Sequence, residues 1–271
     1  MRIFFITSKL NFTKSGGSIE EFDVMIRNLI KLGNEVTVVT TFSYSNDISQ
    51  PLPYKVIEEN VMSRHLLGIQ RGVFKILKKY EKQADFFHID GHNFLYAAGL
   101  YRRLGGKVPV SAFFNRELFV FPENVSTLFS KNKRSPFAEL KRKIRWCAEK
   151  YIGMPIASGI DIYMFTNPIL RQVYENFGLK KDEHSFIIGD PIEYREIMKR
   201  NGITENFYRN RVKDSGKVTL FYSSRMAPGK GFDLLVAAFS EIKNKENFRL
   251  ILRSDHGQRH HRDAEHRRFQ D

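Results

Sequence analysis

Residues 2–41 read RIFFITSKLNFTKSGGSIEEFDVMIRNLIKLGNEVTVVTT, and this stretch decides the fold. Ile3, Phe4, Phe5 and Ile6 form an apolar run without alternation, the pattern of a strand buried on both faces. A polar loop ending in Gly16 and Gly17 follows. Ser18 is placed to cap a helix, Glu20 and Glu21 sit in its first turn, and Phe22, Met25, Ile26, Leu29, Ile30 and Leu32 keep helical spacing until Gly33 closes it. Glu35 to Thr41 is β-branched nearly throughout and reads as a second buried strand. Strand, helix and strand with short connections make a βαβ unit, which predicts a parallel, doubly wound sheet.

Working outward, the alternation continues. Tyr54 to Glu58 reads as a strand, Leu66 to Lys82 as a basic amphipathic helix, and Asp85 to Ile89 as a buried strand running into the polar turn Asp90, Gly91, His92, Asn93. Phe94 to Leu104 is a helix stopped by Gly105 and Gly106, and Val108 to Phe114 a strand. Phe137 to Tyr151 is amphipathic, with Phe137, Leu140, Ile144, Ala148 and Tyr151 on one face. Asp161 to Phe165 is a strand, and the helix begun by Asn167 and Pro168 runs to Phe177 before Gly178. Ser185 to Ile188 is a short strand. After a charged stretch, Lys199 to Lys217, a second βαβ unit follows: strand Val218 to Ser223, helix Phe232 to Ile242, strand Phe248 to Leu252. The fold class expected is α/β, with two Rossmann-like doubly wound domains facing across a cleft.

The chain has 271 residues, 42% hydrophobic and 27% charged, which excludes wholesale disorder and fibrous repeats. No window approaches the roughly 18 apolar residues of a membrane-spanning helix, and the N-terminus turns polar too soon for a signal peptide, so cytoplasmic residence is the expectation. Cys147 is the single cysteine and agrees with a reducing compartment. The net charge of +14 favours an anionic partner. Residues 131–150 concentrate it, with eight basic side chains against Glu139 and Glu149. Trp146 in this basic amphipathic helix admits contact with an anionic membrane surface, and packing of Phe137, Leu140 and Ile144 on the sheet is the alternative. Nucleic acid is not expected, because no RNP, KH or helix-turn-helix signature is present.

The chemistry concentrates in Ser223 to Phe239, SSRMAPGKGFDLLVAAF. Here a strand delivers Arg225, Gly229, Lys230 and Gly231 to the start of a helix. Two cations and free backbone N–H groups converge, which suits a diphosphate: Arg supplies a fork, Lys a point charge, and the helix end its amides. The spacing is not that of a Walker loop.

This segment resembles the GRxxxxKGxDxLxxAF motif of GT-B glycosyltransferases of the family-4 type. Arg225, Lys230, Gly231, Asp233, Leu235, Ala238 and Phe239 match, and Ser224 replaces the first glycine. The resemblance implies that Arg225 and Lys230 bind the pyrophosphate of a UDP- or GDP-sugar, with Gly231 beside them, and that the Gly16–Gly17 loop abuts the reaction centre. It extends in order through DIYMFTNPILRQVYENFGL and through FIIGDPIE, Phe186 to Glu193. Where the family often carries a histidine after the fifth strand, this chain has Asn115. His88 or His92, near the end of the preceding strand, is then the expected replacement, against a purely structural role for either. Asp190 and Glu193 admit a place in the cleft or a solvated turn.

The activity implied is transfer of a sugar, with retention, to a glycan or lipid-linked acceptor, without cofactor or metal, on the cytoplasmic face and peripherally at the inner membrane surface. An E-x7-E segment that would contact the donor sugar and ribose is missing. The expected organisation is therefore an acceptor-side domain over residues 1–180, a partial nucleotide-sugar domain over 185–252, and an atypical tail over 253–271 whose His256, His260, His261 and His266 lie on no metal scaffold. A C-terminally truncated, impaired enzyme is the expectation, with a non-catalytic fragment or binding module of the same fold as the alternative.

Overall fold

The computed structural model describes residues 1–12, 18–48, 51–63, 65–116, 136–180, 183–189, 191, 193–200, 202–204, 206, 216–224 and 230–253. Contacts divide the chain into two units, the first running to Tyr194 and the second containing the described residues from Arg195 onward.

The first unit is built on seven parallel strands: β1 (Arg2–Thr7), β2 (Glu35–Thr40), β3 (Lys55–Glu58), β4 (Phe86–Asp90), β5 (Val110–Phe114), β6 (Ile162–Phe165) and β7 (Ser185–Ile187). Their spatial order is β3-β2-β1-β4-β5-β6-β7. The chain winds outward from β1 to β3, then returns to lay β4 on the other side of β1. That reversal is a topological switch point, and the connections leaving the carboxyl ends of β1 and β4 diverge there. Ligands of open α/β sheets bind outside the strand ends at such a point.

Helices cover both faces. Along β1, Ile3 and Phe5 meet Ile19, Phe22 and Ile26 of α1 (Ser18–Lys31), while Phe4 and Ile6 join the opposite core with Val73, Ile76 and Leu77 of α2 (Leu66–Tyr80) and Phe94, Ala97, Ala98 and Tyr101 of α3 (Gly91–Arg103). This two-sided burial is what the unbroken apolar run of β1 required. The second core continues into Met154 and Ala157 of α5 (Met154–Ala157) and Leu170, Tyr174 and Phe177 of α6 (Pro168–Phe177). Asn167 caps α6, its Oδ1 accepting from the Leu170 N–H at 2.8 Å, and Gly178 terminates it.

Three features depart from the sequence reading. Residues 90–93, expected as a turn, are already helical from Gly91. A Cβ on Gly91 would stand 2.8 Å from the Phe113 carbonyl oxygen and 3.1 Å from the Phe114 ring, so the missing side chain lets α3 start hard against β5. Ser185–Ile187, assigned from sequence to the second domain, instead pairs with β6 as the outer strand of the first sheet, Tyr163 opposite Ser185. The helix expected from 137 to 151 is α4 (Pro136–Ala148), followed by a wider π-type turn over Glu149–Gly153.

In the second unit, β8 (Val218–Ser223) and β9 (Phe248–Arg253) pair in parallel, Val218 opposite Phe248 through Ser223 opposite Arg253, and α8 (Phe232–Glu241) connects them. This is the second βαβ unit. α7 (Tyr194–Arg200) precedes it.

Candidate functional site

Two places carry the chemistry singled out from sequence, one in each unit.

In the first unit it is the carboxyl edge of β4 and β5. Asp90 ends β4, and α3 begins immediately, so the first turn of the helix folds its side chains back toward the strand end. Nδ1 of His92 lies 3.0 Å from Oδ1 of Asp90, and Nδ2 of Asn93 donates to Oδ2 of the same carboxylate at 2.8 Å. Gln70 of α2 braces this turn: its Nε2 donates to the Asn93 carbonyl at 2.7 Å, and its Oε1 accepts from the Ala97 N–H at 2.7 Å. The Asp90 carboxylate thus stands within ion-pair distance of the His92 ring at the strand edge. In the β4–β5 register Asp90 stands opposite Phe113, which places Asn115, two residues on, at the same edge. Its Oδ1 is buried and has no hydrogen-bond partner among the described residues.

His88 stands apart from this group. It is the middle residue of β4, and strand alternation turns it into the core beneath α1, where it is 3% exposed. Its ring centroid is 4.5 Å from that of Phe5 and 5.8 Å from that of Phe22, and Nδ1 is 2.8 Å from the Ser111 hydroxyl. Burial pushes the imidazole down to about 4, with the Asp90 charge opposing only in part, so it is neutral near pH 7. The expectation of a cleft role for His88 is thereby corrected: the sheet holds it as a core residue. Glu193, whose place in the cleft was left open, pairs instead with Lys31 of α1 at 3.5 Å.

In the second unit the site is the β8–α8 junction. Gly231 precedes α8 with φ of 70°, a left-handed conformation that side chains resist, and its carbonyl accepts from the Leu235 N–H at 3.0 Å to open the helix. Lys230 is exposed immediately before it. The Tyr222 hydroxyl at the end of β8 donates to the Lys230 carbonyl at 3.4 Å, and the Tyr222 and Phe232 rings pack with centroids 5.5 Å apart. Strand end and helix start are thus tied together, and Lys230 stands where the helix dipole favours anions. Gly16, Gly17, Asp190, Arg225 and the residues 254–271 lie outside the described residues.

Sequence reasoning passed over Asp90 and Gln70. Asp90 carried a signal, an acid at a strand end two residues before a histidine; Gln70 carried none, because its partners are 23 and 27 residues away. Among the described residues no group of three His, Cys, Asp or Glu side chains is placed to hold a metal ion, and no helix is long and apolar enough to cross a membrane.

No protein-family model matches the chain, and no curated protein sequence is similar to it. Solved structures are. HepE of Anabaena, crystallised with UDP and glucose, aligns with 93% of this chain at a TM-score of 0.55 and 12% identity, over 60% of its own length. WaaG, a glycosyltransferase involved in lipopolysaccharide biosynthesis, aligns with 92% at 0.54 and 15% identity, over 62% of its length. The trehalose 6-phosphate synthase of Burkholderia multivorans aligns with 93% at 0.56 and 13% identity, over 63% of its length. The chain thus spans a little over three fifths of the length of these proteins, and its fold is the GT-B fold of glycosyltransferases.

Proposed function

We propose that this GT-B chain transfers a sugar from a nucleotide diphosphate sugar, UDP- or GDP-linked, to a glycan or lipid-linked acceptor on the cytoplasmic side, with retention at the anomeric carbon and without a metal. The observation that carries the reading is the β8–α8 junction, where a left-handed glycine opens a helix directly after an exposed lysine in a segment spelled SSRMAPGKGFDLLVAAF.

The chemistry asked of these residues is mainly electrostatic. Breaking the bond between the anomeric carbon and the diphosphate oxygen leaves negative charge on the departing group. Lys230 supplies a point charge, Arg225 a two-pronged donor, and the first amides of α8 further donors, all fixed before the reaction rather than reorganised during it. In the first unit His92, steadied by Asp90, is assigned to the acceptor hydroxyl, with Asn115 supplying a further acceptor oxygen at the same edge. Gly16 and Gly17 are assigned to close backbone approach beside the reaction centre.

Calorimetric titration with UDP- and GDP-sugars tests the assignment. Arg225→Ala and Lys230→Ala are each expected to weaken binding by about tenfold to a hundredfold, the range for losing a charge-assisted hydrogen bond to phosphate. His92→Ala is expected to keep donor affinity while lowering transfer. Unchanged affinity in both cation variants would sink the donor-site reading.

A further inference from the structure

α2 carries a polar residue at a core position. Val73, Leu77 and Tyr80 recur along its buried face at helical spacing, and Gln70, three residues before Val73, belongs to the same buried face. An amphipathic helix reserves such a position for an apolar side chain, because a carboxamide taken out of water without partners is costly.

Gln70 has both its partners, and both belong to one rung of another helix. Its Nε2 donates to the Asn93 carbonyl at 2.7 Å, and its Oε1 accepts from the Ala97 N–H at 2.7 Å. Asn93 and Ala97 are four residues apart, the carbonyl and N–H that the ladder of α3 joins. A carboxamide presents one donating and one accepting end, so it fits this rung in a single orientation. Insertion of a polar side chain at the ladder is one of the few causes that displace a helical turn.

The rung divides α3. On its N-terminal side stand the polar groups of the β4 edge: His92 Nδ1 lies 3.0 Å from Oδ1 of Asp90, and Asn93 Nδ2 donates to Oδ2 at 2.8 Å. On its C-terminal side Ala97, Ala98 and Tyr101 are core. α2 is seated from behind, since Gly68 and Gly72 centre roughly 180° from Gln70 on the helical wheel and a Cβ on them would overlap Ser63 and Val61 respectively. With Gly91 against β5, the first turn of α3 is gripped from two sides.

The fold alone does not call for glutamine here. With an apolar side chain at position 70, the Asn93 carbonyl and the Ala97 N–H would satisfy each other as in any α-helix, and the buried face of α2 would be continuously apolar. What the carboxamide adds is a second hold on the turn that carries His92 and Asn93. Departures from a local rule that bring the fold no gain are expected where function is placed.

We propose that Gln70 is a positioning residue for the acceptor edge: bound to both ends of the Asn93–Ala97 rung, it sets where His92 and Asn93 stand. The proposal rests on the reading of His92 as the group that meets the acceptor hydroxyl. Gln70 is itself buried and acts through the turn.

The test compares the full chain with Gln70→Leu and Gln70→Glu. Leucine removes donor and acceptor at similar size. An ionised glutamate sets a second acceptor against the Asn93 carbonyl, whereas a protonated one regains a donor and an acceptor. In NMR spectra of isotope-labelled protein, Gln70→Leu is expected to shift the His92 ring and Asn93 side-chain amide signals, identified by their loss in His92→Gln and Asn93→Ala, while the His88 ring on β4 keeps its wild-type shifts. Turnover is followed as release of UDP or GDP from UDP-glucose or GDP-glucose with water as acceptor. Gln70→Leu is expected to lower kcat by about tenfold to a hundredfold at unchanged KM, the range for a small displacement of a reacting group. The kcat of Gln70→Glu relative to wild type is expected to rise as pH falls from about 8 to about 5.5, because a buried carboxyl takes up its proton in that range; Asp90 and His92 titrate in both proteins and cancel in the ratio. The freed groups of the rung pair with each other in Gln70→Leu, so its circular dichroism spectrum is expected to match wild type. Unmoved His92 and Asn93 signals in Gln70→Leu would overturn the proposal, as would a wild-type kcat or a Gln70→Glu ratio that is flat with pH. A lowered melting temperature with wild-type signals and kcat would assign Gln70 to stability alone. Wild type that releases neither nucleotide would count against the transferase reading, while the NMR comparison, which needs no substrate, would still decide whether Gln70 places His92.

Discussion

Acidification tests the placement of His88 in the core of the first unit. His88 has its pKa lowered from 6.5 to about 4, chiefly by burial, so between those limits the unfolded chain takes up a proton that the native state refuses. Stability from this residue is unaffected above pH 6.5, falls as pH drops through the window, and levels off below 4. At about pH 4.5 the loss is RT times the logarithm of the ratio of the two binding polynomials, or about 2 to 3 kcal/mol, approaching about 3 to 4 kcal/mol once both states are protonated. Other groups titrate in the same range, so the readout is a difference. Urea unfolding is followed by fluorescence of Trp146, which is the single tryptophan and packs on Phe177 in the first unit, for wild type and for His88→Gln. Glutamine keeps a polar group beside Ser111 but cannot charge. Whatever the offset at about pH 7.5, the wild type is expected to lose about 2 to 3 kcal/mol more than the variant on going to about pH 4.5. A gap that stays constant to within about 0.5 kcal/mol would show that His88 is protonated alike in both states, and the placement of His88 as a sealed core residue would then be refuted.

Two further outcomes follow from the packing. Gly91→Ala puts a methyl 2.8 Å from the Phe113 carbonyl oxygen, so α3 must back away from β5; the expected cost is about 1 to 3 kcal/mol, a fall of several degrees in thermal melting, and an unchanged Tm would contradict the close approach. Val218, Phe221, Ile251 and Leu252 of β8 and β9 are exposed, whereas β1 and β4 are flanked by helices on both faces. Amides of β8 and β9 are accordingly expected to exchange with deuterated solvent at least tenfold faster than those of β1 and β4, and equal protection in mass-spectrometric exchange would count against that difference in cover.

What the sequence disclosed was whatever local pattern controls. The run from Ile3 to Ile6, the spacing of α1 and the β-branched residues before Thr41 fixed a βαβ unit because strand period, helix period and capping are all short-range. Val218–Ser223 was legible to the residue for the same reason. Pairing was not. Ser185–Ile187 is three residues long, and nothing within it says whether it extends the first sheet or begins a second; that depends on Tyr163, 22 positions earlier. The start of α3 was hidden because it depends on the space between Gly91 and Phe113. The site was half legible: a histidine at a β4 end was expected, but His88 and His92 are separated by the pleat of a strand and the first turn of a helix, which send one into the core and the other to the edge.

The charge of +14 acquires a location through the ion pairs of the first unit. Several of its carboxylates are paired within the fold: Asp85 binds Arg2 at the foot of β1, Asp23 binds Arg27 within α1, Asp161 bridges Arg102 at 2.7 Å and the Val110 N–H at 2.8 Å, Glu175 holds Arg171, and Glu149 holds Arg145. Two of these pairs, Arg2–Asp85 and Arg102–Asp161, join separate segments of the chain, and the other three join residues four apart. A field seen from outside arises from cations left over by such pairing, because paired charges close together cancel within a Debye length of about 8 to 10 Å. Lys141 and Lys143 are in that remainder, and they lie on one helix beside Phe137, Leu140 and Ile144, which are exposed, so the alternative in which these three pack on the sheet is overturned.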